Sequence, residues 1–335
     1  MQFVLTRTPL RISFFGGGSD YPAWCDDNRG AVLSTTIDKY IYLSCRYHPP
    51  FFGVNHRIVW RHVELVESIS EILHPAIREG LKYLSFDDSR GVEMHYHADL
   101  PARSGMGSSS SFVAGMILGL LRLKSKDVSK HELAKMAIDL ELNWMNEAVG
   151  YQDQIAAAYG GLNRIEFKAG QKFDVNPVPI SKDRSRSFLT NLMLFFVGAN
   201  RDGLVIAEKI INNVPKNTSQ LKKMVELVDD AEATLKAGDL INIGEMLHET
   251  WMLKRELSNH ISTSKIDDIY ASAQAAGAIG GKLLGAGGTG FMLFFVPPDK
   301  QESVRGALTP QLMEIPFDFV ESGSEIVYDL QENES

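Results

Sequence analysis

Cysteine is almost absent: 335 residues carry only Cys25 and Cys45. That is too few for a disulfide framework or a structural zinc site, so a reducing, cytoplasmic setting is expected. Long apolar runs are missing as well. The longest, Leu192 to Val197 and Phe291 to Val296, fall far below the roughly 20 residues that a membrane-crossing helix needs. Met1 to Arg7 lacks the apolar centre of a signal peptide, and no membrane partner is expected. Basic residues do not dominate: 34 Lys and Arg face 42 Asp and Glu, a formal charge of −8. This balance argues against nucleic acid as a partner while leaving room for a local cationic pocket that holds an anionic metabolite. The chain has no internal repeat or low-complexity tract, and nowhere the Gly-x4-Gly-Lys-Ser/Thr run of a Walker loop. With 44% hydrophobic and 23% charged residues it has the composition of an ordinary globular protein, long enough for two lobes.

Leu100-Pro101-Ala102-Arg103-Ser104-Gly105-Met106-Gly107 followed by Ser108 to Ser111 is a glycine- and serine-rich loop running into an apolar pattern. Phe112, Val113, Met116, Ile117, Leu120 and Leu121 recur at helical spacing, which predicts a helix over Ser109 to Leu123. Small residues let backbone approach a ligand, and the unpaired N–H groups of a first helical turn favour an anion, above all a phosphate. A flexible linker or an over-capped helix start is the competing reading.

Elsewhere, Arg11 to Phe15 reads as a strand entering the turn Gly16-Gly17-Gly18-Ser19-Asp20-Tyr21-Pro22, which is either a plain hairpin or ligand-facing. Tyr40 to Cys45 and Val92 to His97 read as further strands; His95 and His97 share one face, as an exposed pair or as metal ligands without a nearby third. Ser129 to Glu132 is a capping box, and Glu141 falls on or beside the apolar stripe of the helix it opens, for metal contact or a helix-edge salt bridge. Asp153, after a glycine turn, suits a helix cap or a base. The polar stretch Lys182 to Ser187 is the expected boundary between a unit at 1–185 and another at 186–335. A buried strand follows at Leu192 to Gly198, then helices near Leu204 to Asn213, Ser219 to Lys236, Leu240 to Leu257 and Lys265 to Ala276, with Thr218 or Ser219 as a cap and Gly238 as a stop. Gly285 to Gly290 fits G-x-G-x-x-G, but an apolar strand follows where dinucleotide binding needs a helix, so a glycine hairpin is expected, structural or packed against a site. Phe317 to Val320 and Ile326 to Leu330 read as closing strands.

Taken in order, Thr8 through Pro22, Leu100 through Ser111 and Lys282 through Gly290, with Gly150-Tyr151-Gln152-Asp153-Gln154 between them, resemble the motifs of the GHMP small-molecule kinases, the superfamily of galactokinase, homoserine kinase, mevalonate kinase and phosphomevalonate kinase. The first motif, together with Gly30 to Tyr40, looks like that of bacterial D-glycero-D-manno-heptose 7-phosphate kinases. Galactokinases carry a Glu-His pair where this chain has Gly17-Gly18, whereas fucokinase-like proteins keep a related turn.

The resemblance implies an α+β, two-domain GHMP kinase fold with its active site in the interdomain cleft and with ATP and Mg²⁺ as cofactors. Carried onto this sequence, Ser104, Gly105, Met106, Gly107, Ser108, Ser109 and Ser110 would wrap the triphosphate, and Ser109 with Glu141 would hold Mg²⁺. Asp153 would be the base and Arg11 would steady the acceptor or the phosphoryl group; Gly17, Gly18, Ser19 and Asp20 would line the sugar, bordered by Gly285, Gly287 and Gly288. The implied reaction is phosphorylation of the anomeric hydroxyl of a heptose 7-phosphate, feeding nucleotide-activated heptose synthesis for a cell-surface polysaccharide. A sibling fucose or hexose 1-kinase and a non-catalytic sugar sensor are the alternatives. The expected partner is a small-molecule sugar phosphate, with a homodimer as an allowed assembly. Its phosphate calls for a cation, and Arg29, Lys39, Arg103, Arg164, Arg201 and Lys282 are the candidates.

Overall fold

The computed structural model describes residues 2–198, 203–309 and 311–330, so Arg201 lies outside the described residues. Its spine is a pair of long strands, β1 (Phe3–Phe15) and β2 (Gly30–Tyr47), antiparallel along nearly their whole length. Both are rich in β-branched and aromatic residues, and their inner halves are buried on both faces, which suits strands covered by other layers. Near its C-terminal end β2 pairs with β5 (Val92–Ala98), and near its start with β6 (Asn163–Lys168). β3 (His56–Val59) and β4 (Val63–Val66) extend the sheet beyond β5, and β7 (Lys172–Pro177) pairs with β6.

Across this sheet lies the helix that the apolar spacing predicts, Ser108–Leu123, starting one residue earlier than expected. It is apolar on nearly every side and buried between the strands and two helices, Lys130–Asp139 and Gln152–Tyr159. Thr6 Oγ1 donates to Gly115 O at 3.1 Å, so a polar strand residue is paired where the helix crosses. Ser129 and Glu132 form their capping box.

A second, four-stranded antiparallel sheet runs β11 (Met313–Glu314), β8 (Leu192–Gly198), β10 (Gly290–Phe295) and β9 (Gly280–Leu283). Helices Gly203–Asn213, Thr218–Ala237, Ile241–Glu256 and Ser264–Ala275 belong to this half. Neither Thr218 nor Ser219 caps its helix: Asn217 occupies that position and turns its amide to Leu257 O instead, at 3.0 Å.

The chain passes from the first sheet, at β7, to the second, at β8, through the stretch that the composition marked. The stretch Lys182–Thr190 is a helix, not a linker, and the boundary expected between 185 and 186 falls inside it. Its Phe188 is fully buried, with its ring 5.1 Å from that of Phe14 and 5.8 Å from that of Phe319. The closing strands then return to the first sheet: Phe319–Val320 pairs with β2, and Glu325–Leu330 with β1. A polar surface on a short helix masked one anchoring aromatic. Among the described residues no helix is long and apolar enough to cross a membrane. Phe188→Ala is expected to destabilise the protein by about 3–5 kcal/mol in urea unfolding; a loss below about 1 kcal/mol would mean that this helix is only a tether.

Candidate active site

The glycine- and serine-rich loop sits between β5 and the long central helix, and the linker reading fails because Ser104 and Met106 are fully buried. The over-capped reading fails too: Gly107, with φ of 73°, holds the N-cap position and offers no side chain. The first intrahelical bond runs from Ser111 N to Gly107 O, so the N–H groups of Ser108, Ser109 and Ser110 lie ahead of it at the positive end of the helix. Inside the loop, Ser104 Oγ donates to Pro101 O at 2.6 Å and Ser108 Oγ accepts from Arg103 N at 3.1 Å. These two hydroxyls therefore shape the loop, and the contact expected of Ser104 with a phosphate shifts to the backbone.

Arg11 joins this loop to Asp153. Its N–H donates to Met106 O at 3.1 Å, Nη1 donates to Gly105 O at 2.6 Å, and Nε and Nη2 donate to the two oxygens of Asp153 at 2.7 and 2.8 Å. The guanidinium is almost fully enclosed, whereas Asp153 keeps partial exposure. Tyr151 takes the N-cap position and Asp153 lies in the first helical turn with its carboxylate turned to Arg11, so Asp153 is not a cap.

Glu141 is fully buried in a single π-helical turn, Leu140–Trp144, that continues the capped helix. The helix-edge salt bridge is ruled out, since Glu141 is buried and its hydrogen-bond donors are neutral: Ser110 Oγ donates to Oε2 at 2.7 Å, and Gln154 Nε2 donates to the same oxygen. Oε1 has no hydrogen-bond partner among the described residues. Burial raises the carboxyl's pKa to about 8, with the Ser110 bond pulling the other way and Glu147 adding to the rise. A buried carboxyl with one orphaned oxygen under a phosphate-loop candidate fits a divalent cation, whose charge would favour the ionised form, and Mg²⁺ needs only one or two protein carboxylates when phosphates complete its shell. Ser110 rather than Ser109 bonds Glu141 most directly, while Ser109 is exposed beside it.

The glycine hairpin after β9 is packed against this loop rather than being a free turn. A Cβ on Gly285 would lie 2.3 Å from Gly105 Cα, and one on Gly105 2.5 Å from Leu284 O, so only glycine lets the two backbones touch. Beneath the contact Lys254, buried, donates to Leu283 O at 2.7 Å and to Gly285 O, and Lys282, also buried, donates to Phe14 O at 2.8 Å. Burial and the charge of Arg11 lower Lys254 to about 7; burial and the charges of Lys254 and Arg11 push Lys282 well down. The sequence reading missed Lys254, although it continues the buried row of Ile243, Leu247 and Trp251 along its helix.

On the other side of Arg11, the turn after β1 buries the Asp20 carboxylate, which accepts from Gly18 N at 3.0 Å and Gln152 N at 3.4 Å. Burial and the like charge of Asp153 raise its pKa. Ser19 is a correction: fully buried, it donates to Gly16 O and accepts from Ala31 N, so it holds the turn and does not face a sugar. Gly288 N donates to Ile261 O at 2.9 Å, tying the hairpin down. Of the cations considered for a substrate phosphate, Arg29, Lys39 and Arg164 pair with carboxylates. His95 bonds Glu93 at 2.7 Å, and no group of three candidate metal ligands occurs among the described residues.

The chain has relatives among known proteins. The model of the GHMP kinase N-terminal domain matches residues 68–161 and that of the GHMP kinase C-terminal domain residues 231–314, together more than half of the chain. The chain belongs to the GHMP kinase family. It is 29% identical to the D-glycero-alpha-D-manno-heptose 7-phosphate kinase of Campylobacter jejuni, over 92% of this chain and 94% of that protein. It is 25% identical, over 85% of its length, to the bifunctional fucokinase/GDP-fucose pyrophosphorylase of Arabidopsis thaliana, of which it spans only 29%. Its fold is similar to the crystal structure of a D-glycero-D-manno-heptose 1-phosphate kinase from Bacteroides thetaiotaomicron, with a TM-score of 0.79 and 23% identity over 98% of this chain and 99% of that one. As a GHMP kinase the protein is a phosphotransferase with ATP as its phosphoryl donor.

Because Glu141 has its pKa raised from 4.5 to about 8, its burial penalty is absent below pH 4.5, grows through neutrality and is complete above pH 8. In metal-free buffer Glu141→Gln is therefore expected to melt higher than the wild type at pH 9, with the gap closing towards pH 5. A gap that does not vary with pH in calorimetry would contradict a buried, titrating carboxyl.

Proposed function

We propose that this GHMP kinase transfers the terminal phosphoryl group of ATP to the anomeric hydroxyl of D-glycero-D-manno-heptose 7-phosphate, giving the 1,7-bisphosphate. The observation that carries the reading is the two-point pairing of Arg11 with Asp153 at the mouth of the phosphate loop. The pairing aims one carboxylate at the place where an acceptor meets a triphosphate, and the sugar follows from the Campylobacter relative.

Phosphoryl transfer asks a protein chiefly for positioning and charge neutralisation. The N–H groups of Ser108, Ser109 and Ser110 face the phosphates, and Arg11 sits between the loop and the acceptor. Asp153, held in one orientation by Arg11, takes the proton of the anomeric hydroxyl as its oxygen bonds to the γ-phosphorus and the bond to the β,γ-bridging oxygen of ATP breaks. Glu141 and Ser109 would hold Mg²⁺, which when bound neutralises charge on the phosphates. Asp20, buried beside Asp153, accepts a sugar hydroxyl.

A cavity of about 310 Å³ whose lining holds Lys209, Lys216 and His260 together with one acid, Glu256, offers two lysines to a phosphorylated acceptor. Its wall includes Leu257, whose Cδ1 lies 3.5 Å from where a Cβ on Gly18 would be. Among the described residues neither lysine has an acidic partner, unlike Arg29, Lys39 and Arg164.

Asp153→Asn should keep the fold and ATP binding and lower kcat at least about a hundredfold; normal turnover would remove Asp153 from proton transfer. Incubating the wild type and ATP with D-glycero-D-manno-heptose 7-phosphate, L-fucose and galactose, and locating the new phosphate by phosphorus and proton couplings, tests the acceptor. The expected product is the 1,7-bisphosphate alone, and a phosphate at any carbon but C1 would overturn the reading.

A further inference from the structure

Two polar atoms beside the acceptor turn have no role in the transfer described above. Ser13 is only 6% exposed, and its Oγ has no hydrogen-bond partner among the described residues. The Oε1 of Gln152 is likewise shielded and unpartnered. The two belong to one place: a Cβ on Gly17 would lie 3.8 Å from Ser13 Oγ and 3.9 Å from Gln152 Nε2. Ser13 stands two residues after Arg11 on β1, and so on the same face of the strand. Gln152 directly precedes Asp153, gives its backbone N–H to Asp20 and also hydrogen-bonds Asp20 through its side-chain amide, which leaves Oε1 as the unpartnered atom.

Buried polar atoms in folded proteins are nearly always paired, and leaving them unpaired destabilises the fold. Two of them flanking Gly17, one two residues from Arg11 along β1 and the other adjacent to Asp153 in the chain, are accounted for if a ligand completes them. We propose that Ser13 Oγ and Gln152 Oε1 bind ring hydroxyls of the acceptor sugar across the backbone of Gly17. The serine hydroxyl can donate to or accept from a sugar hydroxyl, whereas Gln152 Oε1 accepts. The absence of a side chain at Gly17 keeps the space between them open, so the pair selects a polyhydroxylated acceptor and does not act on ATP. Both are positioning residues, because neither touches the phosphoryl group.

The inference rests on the acceptor lying beside Asp153, and it separates two effects that a purely structural role would couple. Ser13→Ala removes an orphaned hydroxyl, so the ligand-free protein is expected to melt at the wild-type temperature or above it. Ser13→Ala and Gln152→Met should each raise KM for D-glycero-D-manno-heptose 7-phosphate by up to about tenfold, as loss of one neutral hydrogen bond does, while KM for ATP stays at the wild-type value. An unchanged acceptor KM in both variants, or a lowered melting temperature of Ser13→Ala with no change in acceptor KM, would overturn the inference. If the wild type phosphorylates L-fucose or galactose and not the heptose phosphate, the proposed function fails while the same KM comparison on that sugar still decides the role of Ser13 and Gln152.

Discussion

The site depends on one buried guanidinium. Arg11 is enclosed between the sheet and the phosphate loop, and a charge in that position must be paired. The guanidinium donates to one loop carbonyl, Gly105 O, and to one carboxylate, that of Asp153, drawn from stretches 94 and 142 residues further along the chain. The hydrogen bonds that satisfy the cation thereby fix the loop backbone and the orientation of Asp153 together. Removing any one partner would leave part of a buried charge uncompensated, which is why loop, strand and helix hold one arrangement.

Around this centre the acidic chain concentrates cations where a polyanion would bind. Lys254 and Lys282 lie buried on the hairpin side and are pushed towards neutrality first by burial and then by neighbouring positive charge, that of Arg11 included, whereas Asp20 and Glu141 are buried on the other sides and pushed the same way from the opposite sign. Each of these shifts works against stability in the ligand-free fold. Perturbed groups of both signs within one site are the usual mark of a functional centre. The overall charge of −8 gave no hint of this local pattern.

The local elements were largely legible in the sequence, and their assembly was less so. Helical spacing from Phe112 to Leu121 and the apolar run of β10 carry their own period, and the capping box at Ser129 names its helix start. The glycine hairpin announced a close contact, but not with Gly105, because nothing local to a glycine says which backbone will meet it. Asp153 looked as much a cap as a base, since only the long-range bond to Arg11 distinguishes them. Ser19 was misread because its hydroxyl closes a turn through Ala31, a partner that becomes visible only once β2 returns alongside β1. The stretch near 185 reads as a polar linker but folds as a helix for a related reason: one buried phenylalanine anchors an otherwise polar segment.

The claim underneath all of this is geometrical, namely that the phosphate loop and Asp153, joined through Arg11, receive the two reactants on either side of one carboxylate. A crystal structure with a non-hydrolysable ATP analogue and the heptose 7-phosphate bound together tests it most directly. The terminal phosphates are expected against the backbone of residues 104–110, with the anomeric oxygen within hydrogen-bond distance of Asp153. Phosphates bound away from that loop, or a sugar whose anomeric oxygen is remote from Asp153, would contradict it.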